Sequence, residues 1–183
     1  MSIKTVLLAL IAGDGDKPQG AIDYAVSLAA DHGARLSVVV GAIKVPVVVY
    51  SGVAEVQAIV TDENDTRTQN ADDLSSTVKR AAELSGVMAS VETVTDAIDP
   101  LFARIGKRAR LHDISVCGRP RPNDVWATEL AETLLLSSGR PAILAGAPRP
   151  QRMARAAPAA DGAALPGAAG AAGGAGGPVR VAG

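Results

Sequence analysis

Val6-Leu7-Leu8-Ala9-Leu10-Ile11-Ala12, closed by Gly13-Asp14-Gly15, is the stretch that decides the fold. Seven apolar residues in a row leave no polar side for solvent, so a strand built from them needs cover on both faces. A bilayer span takes about 20 such residues, so the run is too short to cross a membrane. The preceding Met1-Ser2-Ile3-Lys4 lacks the basic segment and cleavage pattern of a leader. The reading is a buried central strand over residues 3–12 in a cytoplasmic protein.

Outward from that strand, helical and extended signals alternate. Over residues 18–32, Ile22, Ala25, Val26 and Ala29 share one helical face, and Gly33 follows as a stop. Arg35–Ile43 carries Leu36, Val38, Val39 and Val40, a second buried strand. Residues 44–61 read ambiguously, because Pro46 demotes the run Val45–Tyr50 to an edge or a loop. The polar stretch Thr61–Gln69 leads into a helix with Leu74, Val78, Ala81 and Ala82 on its inner face. Val87–Val94 alternates as a third strand. A short helix then opens at Asp99-Pro100, with Leu101, Phe102, Ile105 and Ala109 on one side. Asp113–Cys117 is a fourth strand, and Asp124 an N-cap for a helix over residues 125–138. Pro141–Ala145 is the last strand. Five strands separated by four helices predict an α/β domain: a five-stranded parallel sheet with helices on both faces.

Composition bounds the function. Of 183 residues 48% are apolar, enough for one packed domain, and 2% are aromatic, too few for a base-stacking surface. A net charge of -1 provides no general basic field, so neither nucleic acid nor membrane is an expected partner. Cys117 is the sole cysteine and His32 and His112 the only histidines, which argues against a disulfide framework and a zinc centre. Residues 1–147 form the domain. Residues 148–183 read as a disordered Ala/Gly/Pro-rich tail, because 13 Ala and 8 Gly among the 33 residues from Gln151 cannot offset the entropy of ordering them.

Ligands of open α/β sheets bind beyond the C-terminal ends of the strands. Two loops there carry candidates. The first, Gly13–Gly20, has the glycine spacing of a phosphate loop, but Ala21 and Ile22 replace its lysine and hydroxyl residue, so that chemistry fails. Gly13 and Asp14 remain as ligand contacts. A receiver-type phosphoacceptor fails as well, since the last strand ends in Ala145-Gly146-Ala147 without a lysine. The second loop, Gly118-Arg119-Pro120-Arg121-Pro122-Asn123, precedes a helix N-terminus. Gly118, Arg119, Arg121 and Thr128 could hold a small anion there, or the loop is simply a solvated basic turn. No catalytic set emerges. Cys117 reads as a small core residue, His112 and Asp113 point to opposite faces of a strand, and Ser137 and Ser138 lack a nucleophile-elbow context.

The order Val6–Leu10, Ala21-Ile22-Asp23-Tyr24-Ala25, His32-Gly33-Ala34-Arg35-Leu36, Asp113–Gly118, Leu130–Leu135 and Arg140–Leu144 resembles a universal stress protein (UspA) domain over about residues 3–146. The resemblance implies a Rossmann-like domain of the adenine nucleotide alpha hydrolase type that dimerises and acts in stress physiology. ATP-binding members carry G-x-x-G, a later G-[ST], and an Asp closing the first strand. Here Gly118 matches the first glycine, Arg121 replaces the second, Thr128-Glu129 stands for the final pair, and Ile11 for the Asp. Gly41 stands where an adenine-packing Val is common. The expectation is therefore a non-ATP-binding type with no cofactor and no enzymatic activity, forming a homodimer. It would bind at most a small anionic ligand or nucleotide weakly. Ile143 on the last strand is the expected dimer contact. An ATP- or AMP-binding, hydrolysing member and a protein-interaction module using an apolar patch at Val45–Val49 are the alternatives.

Overall fold

The apolar runs become strands of one parallel sheet. The computed structural model describes residues 2–13, 18–46 and 54–146. The strands are β1 (Thr5–Ala12), β2 (Arg35–Ile43), β3 (Ala89–Asp96), β4 (Ile114–Gly118) and β5 (Ala142–Ala145), in the spatial order β3-β2-β1-β4-β5. Every pairing is parallel. The seven-residue apolar run thus lies in the centre, as a strand without a polar face must.

Alternate side chains of β1 feed two cores. Val6, Leu8 and Leu10 pack with α1 (Gln19–His32) and α2 (Ala54–Leu84) on one face. Leu7 and Ala9 pack on the other with Leu101, Phe102 and Ile105 of α3 (Ile98–Ala109) and Leu130 of α4 (Val125–Glu132). The predicted inner faces hold: Ile22, Ala25, Val26 and Ala29 are buried on α1, and Leu74, Val78 and Ala82 on α2. Gly33 ends α1 in the left-handed region at φ 59°, which glycine adopts without penalty.

Two elements differ from the reading of the sequence. Thr61–Gln69 is not a lead-in but lies inside α2, which already begins at Ala54. Its polarity is compatible with a helix because neighbours one turn apart pair: Arg67 with Glu63 at 2.8 Å and Gln69 with Asp73 at 3.3 Å. The segment over residues 125–138 is not one regular helix. It widens after Glu132 into a π-helical turn, Thr133–Ser137. Ser138 Oγ donates to Leu134 O at 2.6 Å, and Arg110 Nε donates to Ser137 O at 3.0 Å, so carbonyls at this end keep partners.

The chain divides into a body, Met1–Pro150, and a segment, Gln151–Gly183. The tail over residues 148–183 lies outside the described residues, as do residues 47–49 of the apolar patch Val45–Val49. Among the described residues no helix is long and apolar enough to cross a membrane.

Candidate functional site

The strand order reverses between β1 and β4, and in an open α/β sheet the crevice at the C-terminal ends of two such strands is the binding position. Two of the loops singled out in the sequence meet there. A Cβ placed on Gly118, at the end of β4, would lie 3.8 Å from Pro18 Cβ at the entry to α1. Gly13, at the end of β1, is exposed with open space around it, whereas Asp14 lies outside the described residues.

The Gly118 loop forms a turn rather than a cradle. Asp124 N–H donates to Arg121 O at 3.1 Å, and Asn123 takes φ 70°. Pro122 followed by a residue of positive φ is the pattern of a type II turn, which asparagine tolerates. Arg119 uses its own N–H to extend the sheet, donating to Ala145 O at 2.8 Å. Pro120 and Pro122 have no N–H to offer. The side chains of Arg119 and Arg121 are exposed.

The N-terminus of α4 is already occupied by an anion of the chain itself. The Asp124 carboxylate accepts from Ala127 N–H at 3.0 Å, as its N-cap position predicts. Thr128 is turned into the same helical turn, where its hydroxyl donates to Asp124 O at 2.8 Å. Glu129 is exposed beside it. The Asp124 carboxylate thus stands where a phosphate would look for backbone donors and a positive dipole end.

Beside the crevice, on the β2 side of β1, the space is filled. A Cβ at Gly41, on β2, would lie 2.9 Å from Ile11 Cδ1 and 3.0 Å from Leu101 Cδ2. Glycine is the residue that lets these two side chains close over the strand. The chain after β2 is then tied down by α2. Asn64 Oδ1 accepts from Val45 N–H at 2.8 Å while its Nδ2 donates to Val45 O at 3.0 Å, and Arg67 Nη1 donates to Ile43 O at 3.3 Å. Neither the Leu101 closure nor the Asn64 clamp was read from the sequence. The available signal for Asn64 was its spacing, seven residues before Ala71 and fourteen before Val78, which sets it on the buried face of α2.

The residues considered for catalysis are committed to structure. Burial pushes the Cys117 thiol up to about 12. His112 is buried and its Nδ1–H donates to Arg108 O at 2.8 Å. Asp113 points the other way, where its Oδ2 accepts from Lys4 N–H at 2.8 Å and Thr5 N–H at 2.9 Å. Those backbone donors hold its carboxyl below the usual carboxylate range. No group of three or more metal-ligating side chains occurs among the described residues. On β5, Ile143 is half-buried against the core of the α1 face, and its neighbour Leu144 is the exposed apolar residue of that strand.

No protein-family model matches the sequence, and no curated protein matches it. Solved structures do match. One is a universal stress protein family member from Burkholderia pseudomallei, 22% identical, with 78% of this chain and 96% of that chain covered and a TM-score of 0.55. Another is UspA from Lactobacillus plantarum, 15% identical over 79% of this chain and 99% of that one, with a TM-score of 0.61. The fold is that of the universal stress proteins. A universal stress protein from Archaeoglobus fulgidus, solved in complex with dAMP, shares it at 15% identity and a TM-score of 0.53, over 79% of this chain and 99% of that one. This chain has that sheet and, beside the crevice, packs Ile11 and Leu101 over Gly41.

Proposed function

We propose that this chain is a non-catalytic universal stress protein domain whose strand-end crevice takes at most a small anionic ligand or nucleotide weakly, and which works as a homodimer. The observation that carries the reading is the packing beside the crevice, where Ile11 and Leu101 occupy the space over Gly41. The Asp124 cap supports it, since like charge opposes a phosphate at the same helix end. The structural commitments of Cys117 and His112 support a role without catalysis. Arg119 and Arg121 act in the opposite sense, but exposed pairs contribute at most about 1 kcal/mol each.

The dimer reading is supported by β5, which among the described residues pairs with β4 alone and turns Leu144 to solvent. An unpaired edge is a liability that a two-fold contact covers symmetrically. Calorimetric titration of Mg-ATP tests the crevice, with an expected Kd no tighter than about 100 μM, equivalent to roughly -5.5 kcal/mol. Low-micromolar binding would refute it and favour the nucleotide-binding alternative, for which the dAMP complex of the Archaeoglobus fulgidus protein is the precedent. Sedimentation tests the edge: a dimer is expected at micromolar concentration and a monomer for Leu144→Lys. Ile143→Asp would disturb the core as well.

A further inference from the structure

Because every strand pairing is parallel, all the connections from helix to strand emerge at one end of the sheet, opposite the crevice. That end carries the most exposed large apolar side chains of the described residues. Leu84, the last residue of α2, is 84% exposed, and Met88, just before β3, 72%. Leu111, between α3 and β4, is 76% exposed, and Leu136, between α4 and β5, 81%. Single exposed apolar residues need no explanation, but four gathered at one end mark a contact surface.

Cations stand among them. Lys4, Arg35, Lys107 and Arg140 are exposed at the same end. Lys4 and Arg35, with Ile3, Thr5, His32 and Gly33, line an open groove of about 490 Å³ between the starts of β1 and β2. Of the acidic groups here, Asp31, Glu83 and Asp113 are exposed, and the Asp113 carboxylate also accepts from the backbone N–H groups of Lys4 and Thr5. At the crevice end both signs occur, with Asp99 and Asp124 exposed at the starts of α3 and α4 and Arg119 and Arg121 exposed on the Gly118 loop. The net charge of -1 is thus compatible with a local group of cations among apolar side chains at the helix-to-strand end.

We propose that the helix-to-strand end rests on an anionic lipid bilayer, with Leu84, Met88, Leu111 and Leu136 entering the boundary between headgroups and acyl chains. Lys4, Arg35, Lys107 and Arg140 face the lipid phosphates. Interfacial binding combines buried apolar area with attraction to anionic headgroups, and this end offers both. A nucleic acid would satisfy the cations but give the leucines no apolar medium. The apolar residues sit on three separate connections rather than in one groove, an arrangement that a deformable bilayer accommodates. The crevice end then faces away from the membrane. This surface is independent of what the crevice binds.

Co-sedimentation of the full chain with vesicles decides the matter. Vesicles of equal parts phosphatidylglycerol and phosphatidylcholine should retain the protein, and pure phosphatidylcholine vesicles should not. Binding should weaken as salt screens the headgroups. The double variant Leu111→Ser, Leu136→Ser should bind the mixed vesicles at least about tenfold more weakly, since each leucine forfeits its apolar transfer. Both residues are exposed, so an unchanged melting curve verifies that the variant is folded. Equal retention on both vesicle types, or full binding by the double variant, would overturn the proposal. So would self-association abolished by the same variant in the absence of vesicle binding, which would assign the surface to a second copy.

Discussion

At its crevice end the sheet is closed by side chains that pack and clamp, whereas at its other end it is fastened by a few polar groups that leave apolar ones in water. Ile11 and Leu101 meet over Gly41, and Asn64 holds both backbone groups of Val45. Opposite, Asp113 ties β4 to the start of β1, Arg110 donates to Ser137 O, and Arg140 Nε donates to Arg110 O at 3.3 Å. Open α/β sheets ordinarily place function at the crevice and stability elsewhere. Here Ile11 and Leu101 pack over Gly41 beside the crevice, and the most exposed large apolar side chains of the described residues lie at the far end.

The comparison breaks most readily at Leu101. Its side chain is wholly buried at the junction of α3, β1 and β2. Leu101→Ala should cost about 2–5 kcal/mol through lost transfer energy and the cavity left behind. Thermal or denaturant unfolding measures it. A loss below about 1 kcal/mol would mean that the site collapses easily and that the crevice is loosely closed.

Asn64 comes next. Removing its carboxamide strands the Val45 N–H and C=O, a penalty of about 1–3 kcal/mol for groups kept from water. Asn64→Ala should destabilise by that amount and speed amide exchange at Val45 while leaving the centre of β1 protected. Asn64→Asp is a sharper probe: it keeps the acceptor for Val45 N–H but sets a second carboxylate oxygen against Val45 O. It should be no better than the alanine variant at neutral pH. Rescue by aspartate would show that the acceptor alone matters.

Much of this architecture was legible because strands covered on both faces leave continuous apolar runs. β2 spans Arg35–Ile43 as read, and the buried faces of α1 and α3 follow the predicted spacing. The start of α2 was hidden because residues 44–61 read ambiguously after Pro46, and the polar residues that follow, which pair at four-residue spacing, have a loop-like composition. The π-helical turn was hidden because Leu134-Leu135-Leu136 suits either periodicity, and the tie from Arg110 lies 27 residues away. At the site, the departures at Ile11, Gly41 and Arg121 were visible residue by residue. Their meaning required Leu101, which approaches from a helix more than fifty positions beyond Gly41. Contacts made across the sheet leave no local mark, and the packing of Leu101 over Gly41 is one of them.

The smallest expected effect sharpens the far end through pH. Asp113 Oδ2 accepts from the backbone of Lys4 and Thr5 and from Thr5 Oγ1 at 3.1 Å. Those donors, Lys4 N–H first, favour the ionised form and lower its pKa in the folded chain. The sign follows from linkage. A depressed folded pKa gives stability that is present above the unfolded value, about 3.9 for Asp, and that fades as pH falls through the folded pKa. Asp113→Asn keeps an acceptor oxygen but cannot ionise. The wild type should therefore exceed the variant in melting temperature at pH 7, and the gap should narrow steadily below about pH 4. The group is solvent-exposed, so added salt should also shrink the gap at pH 7. If the gap holds constant from pH 7 to pH 3, the carboxylate acts by shape alone. The strand junction would then owe its stability to the hydrogen bonds of Thr5 rather than to the charge of Asp113.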